Sequence, residues 1–389
     1  MRKVLAVVLA SILFLDAVSL GVILLSKAKE LPDPAIPVTE TEPKDDLFAR
    51  AKVIAVGDNI IHEEIFRQAK ARSISGGYDF DFVYENLREK ISGADAALIT
   101  QESAVSQEHG VSAYPLFNAP AEIADELYKL GFTVVNVATN HALDFGEKGL
   151  KNTLQLLKEK GLNPIGAYES KEAAGWLNIQ DVNGIKIAWL GFTQALNGHS
   201  LPEDAEVSLE LAEYETHLNE MITLADRKAD IVIVCAHWGN EYETQVTDSQ
   251  RSLAQKLGEW GADIIIGSHP HVLQSVEYLD NSDGSKTLVA YSLGNFVSAM
   301  TKPELMLGGL LSFDVVKNID TKEITVENVS VEGVVTHYGL NTSKIRLYAL
   351  SDYKDELANS HGIKEKSDEF SLRYLNDTMS SAIDRQFLK

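Results

Sequence analysis

"DIIIGSHPH", Asp263 to His271, carries an apolar run, Ile264 to Ile266, almost without a break into two histidines separated by one proline. A run apolar on both alternating faces reads as a strand buried from both sides, as in a parallel sheet covered by helices. In such folds ligands bind beyond the carboxyl ends of the strands. The pattern recurs along the chain: "KVIAVGD" ends at Asp58, "AALITQE" at Glu102, "VVNVATNH" at Asn140 and His141, and "DIVIVCAH" at His237. Each apolar run thus closes on a side chain able to hold a metal or move a proton.

Between these runs, Ala121–Gly131 and Gly146–Gly161 place apolar residues at helical spacing and end on glycine. Alternating strands and helices predict a layered α/β fold. Further strands are expected at Ile185–Thr193, Thr287–Phe296 and Gly308–Val316, with one or two more within Glu323–Gly339. Phe370, Tyr374, Met379, Ile383 and Phe387 recur at mostly helical spacing, so 340–389 is expected to be a helical tail docked on the core.

The 389 residues carry a formal net charge of -22. A surface so acidic repels phosphate backbones, which excludes nucleic acid as a partner. The single cysteine, Cys235, sits inside an apolar run and is expected to pack in the core. Arg2 and Lys3 precede a long apolar segment, Val4 to Leu25, interrupted by Asp16. That length suffices for a membrane-spanning helix, and the preceding positive charges predict an N-terminus held inside. Residues 1–26 are therefore expected to be a single-pass anchor in the cell membrane, residues 27–46 an acidic, proline-rich tether, and residues 47–339 an extracellular domain.

One aspartate, one glutamate, one asparagine and several histidines suit a pair of divalent ions, because a carboxylate can bridge, imidazoles can bind each ion, and an amide carbonyl is a neutral ligand. Two such ions acidify a water and clamp the oxygens of a phosphoryl displacement, so hydrolysis is the chemistry expected. No phosphate-binding Gly-Lys loop or nucleophile-elbow serine competes with it.

The segments "VGDNIIH", "VATNHALDFGEKGL", "AHWGNEY", "GSHPHVLQ" and "YSLGNF", in that order, resemble the CapA-type family of capsule or poly-gamma-glutamate biosynthesis proteins. "YPLFNAP", Tyr114 to Pro120, is similar to a loop of that family. The resemblance implies a calcineurin-like metallophosphoesterase fold, a four-layer αββα sandwich, binding two divalent ions, Mn, Fe or Zn. It implies Asp58 and His271 on the first metal, Glu102 as bridge, and Asn140, His237 and His269 on the second. His141 resembles the general acid, with Asp144 fixing its tautomer. His62, Trp238 and Asn295 are candidates for further ligand or substrate contacts. Ile60 stands where phosphoesterases carry a ligand histidine, and Thr100 where many members have asparagine. The implied substrate is a phosphoester or an anionic polymer with a hydrolysable amide bond; the alternative is a polymer-binding export component working without catalysis. Other membrane proteins of capsule synthesis are the implied partners.

Overall fold

The computed structural model describes residues 47–389, and these form one compact unit. The anticipated anchor and tether lie outside the described residues. Among the described residues, no helix is long and apolar enough to cross a membrane.

The strands in chain order are β1 (Phe48–Asn59), β2 (Ala96–Gln101), β3 (Val134–Asn136), β4 (Asn163–Ile165), β5 (Ala167–Tyr168), β6 (Ile179–Val182), β7 (Ile185–Thr193) and β8 (Ser208–Leu209). They continue as β9 (Ile231–His237), β10 (Ile264–Ser268), β11 (Val276–Asp280), β12 (Lys286–Ala290), β13 (Asn295–Val297), β14 (Leu307–Asn318), β15 (Ile324–Gly339) and β16 (Ser343–Ala349). One sheet runs β16-β15-β14-β1-β2-β3-β4, with β13 also paired to β1; the second runs β11-β12-β10-β9-β7-β6. β1 to β4 are mutually parallel, as are β7, β9, β10 and β12, while antiparallel strands flank both parallel blocks.

Alternation along the second sheet sorts its side chains into two cores. Ile187, Trp189, Ile233, Cys235, Ile264 and Ile266 pack in one cluster with first-sheet residues such as Val53, Ala55 and Leu98. Their neighbours Ala188, Leu190, Val232, Val234 and Ile265 pack instead with Leu218 and Ile222 of the helix Glu215–Asp226 and Leu257 of the helix Asp248–Glu259. The period of two in a strand sends one set of side chains toward the other sheet and the next toward helices. The result is a mixed α/β sandwich. Cys235 lies in this core, where burial pushes its thiol well up. The helices Glu122–Leu130 and Gly146–Glu159 fall within the two stretches that helical spacing marked out.

The boundary expected at residue 339 is corrected. β15 is one continuous strand, and it pairs antiparallel with β16, so a cut there would split a hairpin. β16 was missed because it is short, although Ile345, Leu347 and Ala349 alternate with more exposed neighbours. Beyond it, Phe370, Met379, Ile383 and Phe387 are buried in the main core.

His361 anchors this last segment: its Nε2–H donates to Thr336 O at 2.9 Å and its Nδ1 accepts from Ile363 N–H at 2.9 Å. A second ring proton would face a donor. Burial, opposed by the Thr336 carbonyl and reinforced by His337, lowers His361 to about 4, below the roughly 6.5 of an unfolded histidine. The unfolded chain therefore binds more protons in that window, so this contribution to stability is complete above pH about 6.5 and is lost as pH falls toward 4. His361→Phe is expected to be less stable at pH 7, because Thr336 O and Ile363 N–H lose their partner, yet to lose less further stability between pH 6.5 and 4. Urea melts across that range check both effects.

Candidate metal centre

Two glycines allow the strand ends to converge. A Cβ at Gly57 would collide with Gly294 O, and one at Gly267 with Tyr291 O and Trp238 Nε1. Gly57 immediately precedes Asp58, and Gly267 lies two residues before His269. Gly267→Ala is expected to cost about 3 kcal/mol, the upper range for forcing an extra methyl into a packed interior, and to displace the histidine loop. Loss of bound metal alongside a lower urea midpoint checks it; an unchanged metal content with the same destabilisation separates packing from the site.

Asp58 is fully buried at the end of β1. Its Oδ2 accepts from His269 N–H at 3.0 Å and lies 3.4 Å from His271 Nδ1, and its Oδ1 lies 3.7 Å from His237 Nδ1. Glu102 follows β2, with Oε1 3.8 Å from His271 Nε2. His237 closes β9; its Nε2 is 3.0 Å from Asn140 Oδ1, and its Nδ1 meets Ser268 Oγ at 2.9 Å. One ligand atom from each of Asp58, Glu102 and His237 lies within 4.8 Å of the others, and the same holds for Glu241, His269 and His271. His269 and His271 both adopt positive φ, 96° and 61°. Non-glycine residues rarely do so, and such strain clusters at functional sites.

The donor set fits a divalent cation. Asp58 Oδ1, Glu102 Oε2 and His269 Nδ1 are buried without any hydrogen-bond partner, which is costly unless something charged is bound. Burial, joined by His269 and His271, holds His237 well below the usual range, and burial with His271 lowers His269 to about 4. Both are therefore neutral near pH 7, the form that ligates. Burial raises Glu102, with Asp58 adding to the effect and His271 opposing it. His271 is raised because Glu102 and Asp58 outweigh its burial. Glu102 and Asp58 favour the protonated form of His271, and a divalent cation would compete with that proton.

Beneath the cluster, Tyr84 donates to Asn59 Oδ1 at 2.7 Å and Asn59 Nδ2 donates to Gln101 Oε1 at 2.6 Å, tying the ends of β1 and β2 together. Beside it, His141 Nδ1 meets Asp144 Oδ2 at 2.8 Å, and the same oxygen accepts from Phe117 N–H at 2.7 Å. Burial lowers the imidazole, but the Asp144 hydrogen bond and the Glu102 charge outweigh it, so His141 is raised overall. His141 and Asp144 line a cavity of about 400 Å³ that also touches Glu102 and His271.

The candidates for additional contacts sort differently. His62 lines the same cavity, with Nδ1 3.3 Å from both Ile60 O and Ala299 N, and falls in neither ligand group. Asn295 Oδ1 lies 3.1 Å from His271 Nδ1, so it orients a ligand candidate. Trp238 is corrected as a substrate contact: it is fully buried, and its Nε1–H donates to Tyr291 O at 2.9 Å.

Two residues were missed. Glu241 stands four positions after His237 in "HWGNE", a spacing that could have flagged it, and it shares a ligand group with His269 and His271. The two groups therefore divide the histidines differently from the assignment that the resemblance implies. Asn197 accepts from Asn140 Nδ2 at 3.3 Å and places its own Nδ2 3.4 Å from His141 Nε2. No local motif marks it, because it reaches the site from a distant loop.

Fold and cluster together define an α/β-sandwich protein with a candidate divalent-metal centre at the carboxyl ends of its parallel strands. The family model for the bacterial capsule synthesis protein PGA_cap matches residues 52–300, and the chain belongs to that family. It is 38% identical over 220 residues to the PGA biosynthesis protein CapA of Bacillus subtilis (strain 168), covering 51% of this chain and 53% of that one. It is 30% identical over 320 residues to the capsule biosynthesis protein CapA of Bacillus anthracis, covering 77% and 76%. The match thus spans about half of the first relative's length and about three-quarters of the second's. Among solved structures, the 5'-nucleotidase precursor of Thermus thermophilus aligns with a TM-score of 0.46 and 13% identity over 85% of this chain and 59% of that one. The NAD nucleotidase of Haemophilus influenzae gives 0.45 and 14% over 88% and 57%.

Proposed function

We propose that this chain is a membrane-anchored, extracellular hydrolase of capsule biosynthesis with a calcineurin-like, four-layer αββα fold, acting on a phosphoester or on an amide bond of an anionic polymer. The observation that carries this reading is the His141–Asp144 pair, 2.8 Å apart, on the wall of a cavity shared with the metal-ligand candidates. A site built only for holding metal and polymer has no need of a carboxylate-oriented imidazole. Asp58, Glu102, Asn140, His237, His269, His271 and the added Glu241 would hold two divalent ions. When bound, such ions acidify a water and offset charge developing on the scissile group. Asp144 fixes His141 with Nδ1–H toward the carboxylate, leaving Nε2 to pass a proton to the leaving atom. That atom would take the place Asn197 Nδ2 now occupies beside Nε2.

Ile60 favours a second reading, a polymer-binding component without catalysis, since a buried isoleucine lines the cavity where phosphoesterases supply a ligand. Metal analysis of the full chain, paired with phosphomonoester, phosphodiester and γ-glutamyl-polymer assays, separates the two. Two ions with turnover support the hydrolase; two ions with polymer binding and no turnover support the component. The extracellular placement rests on Arg2 and Lys3 before the apolar segment. Protease added to intact protoplasts is expected to digest the domain, and protection would overturn that placement.

A further inference from the structure

The geometry points to a second site, a docking pocket for the carboxylates of an anionic polymer, at the far end of the helix Glu63–Arg72. A cavity of about 310 Å³ there is lined by Arg67, Gln68, Arg72, Asn341, Thr342 and Lys344. Among the described residues, no carboxylate lies within 4.0 Å of the charged nitrogens of Arg67, Arg72 or Lys344, whereas Arg346, which shares the Phe82 ring with Arg72, is paired with Glu85. Three unpaired cations around one depression stand out on a chain of net charge -22.

Two features show that the pocket is built. Asn341, Thr342 and Lys344 have φ of 55°, 53° and 55°, and a β-branched threonine in that region is an outlier. Gln68 holds this turn from the helix, donating to Thr342 O at 2.8 Å and accepting from Ile345 N–H at 3.1 Å. Arg72 and Arg346 both lie over the Phe82 ring, at 4.0 and 3.8 Å. Arg72 Nη1 is nevertheless buried without a hydrogen-bond partner. An arginine fixed on an aromatic ring and lining the pocket presents a planar guanidinium suited to an oxyanion. The helix C-terminus and Asp79, the acid that Arg72 senses, work against an anion, so several cations are needed to hold one.

His62, flanking the other end of this helix, lines the metal-centre cavity. The helix that runs from His62 to the pocket has ten residues and is about 15 Å long. A chain of regularly spaced carboxylates can therefore be held at Arg67, Arg72 and Lys344 while another of its units lies at the metal centre. This rests on the polymer reading above, and it explains how so acidic a protein retains a polyanion.

The test titrates the metal-loaded full chain, at low salt, with a γ-glutamyl oligomer about ten units long. Arg67→Glu with Lys344→Glu is expected to weaken binding about tenfold or more, roughly the effect of 1.4 kcal/mol, with metal content and thermal midpoint kept. Arg67→Ala alone is expected to weaken it less. Unchanged affinity in the double variant overturns the pocket and leaves the polymer reading standing, more so if His269→Ala abolishes binding. No oligomer binding by wild type overturns both. Inorganic phosphate or anionic-lipid vesicles binding as tightly as the oligomer, with the same loss in the double variant, would reassign the pocket and overturn its polymer role.

Discussion

Glu102→Gln is expected to lower divalent-metal affinity by at least about 100-fold, beyond the 10–100-fold typical of losing an outer-shell partner. Glu102 is 2% exposed, one of its oxygens has no partner, and the other faces His271. An amide keeps the shape, removes the charge and offers one good oxygen in place of two. Stability should respond with opposite sign in two conditions. With chelator present, the glutamine variant is expected to be at least as stable as wild type, because a buried carboxylate without a full set of partners disappears. With metal present, wild type gains stability through binding and the variant does not. Metal content after purification and thermal midpoints with and without chelator check both halves. His269→Ala is expected to reduce metal content less, leaving Asp58, Glu102 and His237 in place, whereas Asn295→Ala is expected to act only through the orientation of His271. Unchanged metal content in both Glu102→Gln and His269→Ala would show that the cluster holds no metal.

Much of this arrangement was legible because parallel strands advertise themselves twice. Ile264 to Ile266 and Ile231 to Cys235 are apolar on both faces, and the residue that ends each run has only the crevice to enter. Strand-end reasoning therefore found Asp58, Glu102, His237, His269 and His271 without knowledge of how the sheets are ordered. It could not find Glu241, which lies on an exposed loop beyond β9 and has no strand periodicity of its own. Asn197 was invisible for a different reason, since its partners Asn140 and His141 lie 57 and 56 residues away and meet it only once the two sheets are packed. The buried Tyr84–Asn59–Gln101 chain is equally non-local. β16 illustrates a third limit: seven residues with Lys344 and Arg346 between the apolar positions look like solvated tail until β15 supplies the neighbouring strand.

His141→Ala is expected to keep the metal and the substrate affinity but to lose turnover by about 10²–10⁴-fold, the usual worth of a positioned general acid. The argument starts from Asp144, whose Oδ2 is held by Phe117 N–H and accepts from His141 Nδ1–H. That leaves Nε2, 3.4 Å from Asn197 Nδ2, as the nitrogen able to exchange a proton with substrate. The imidazole belongs to neither ligand group, so its removal should spare the metal. Its raised pKa keeps more of it protonated near neutrality than a free histidine. A general acid must be protonated to act, so kcat is expected to fall as pH rises through that raised pKa, and the alanine variant should lack this limb. Substrates with good leaving groups, such as nitrophenyl esters, need little protonation and should suffer least. Asp144→Asn should lower the pKa and shift the limb to lower pH while retaining part of the rate. Loss of metal from His141→Ala would make His141 a ligand instead of an acid. If wild type binds a phosphoester or a glutamyl polymer and hydrolyses neither, the pair orients bound polymer and the non-catalytic reading replaces the hydrolase.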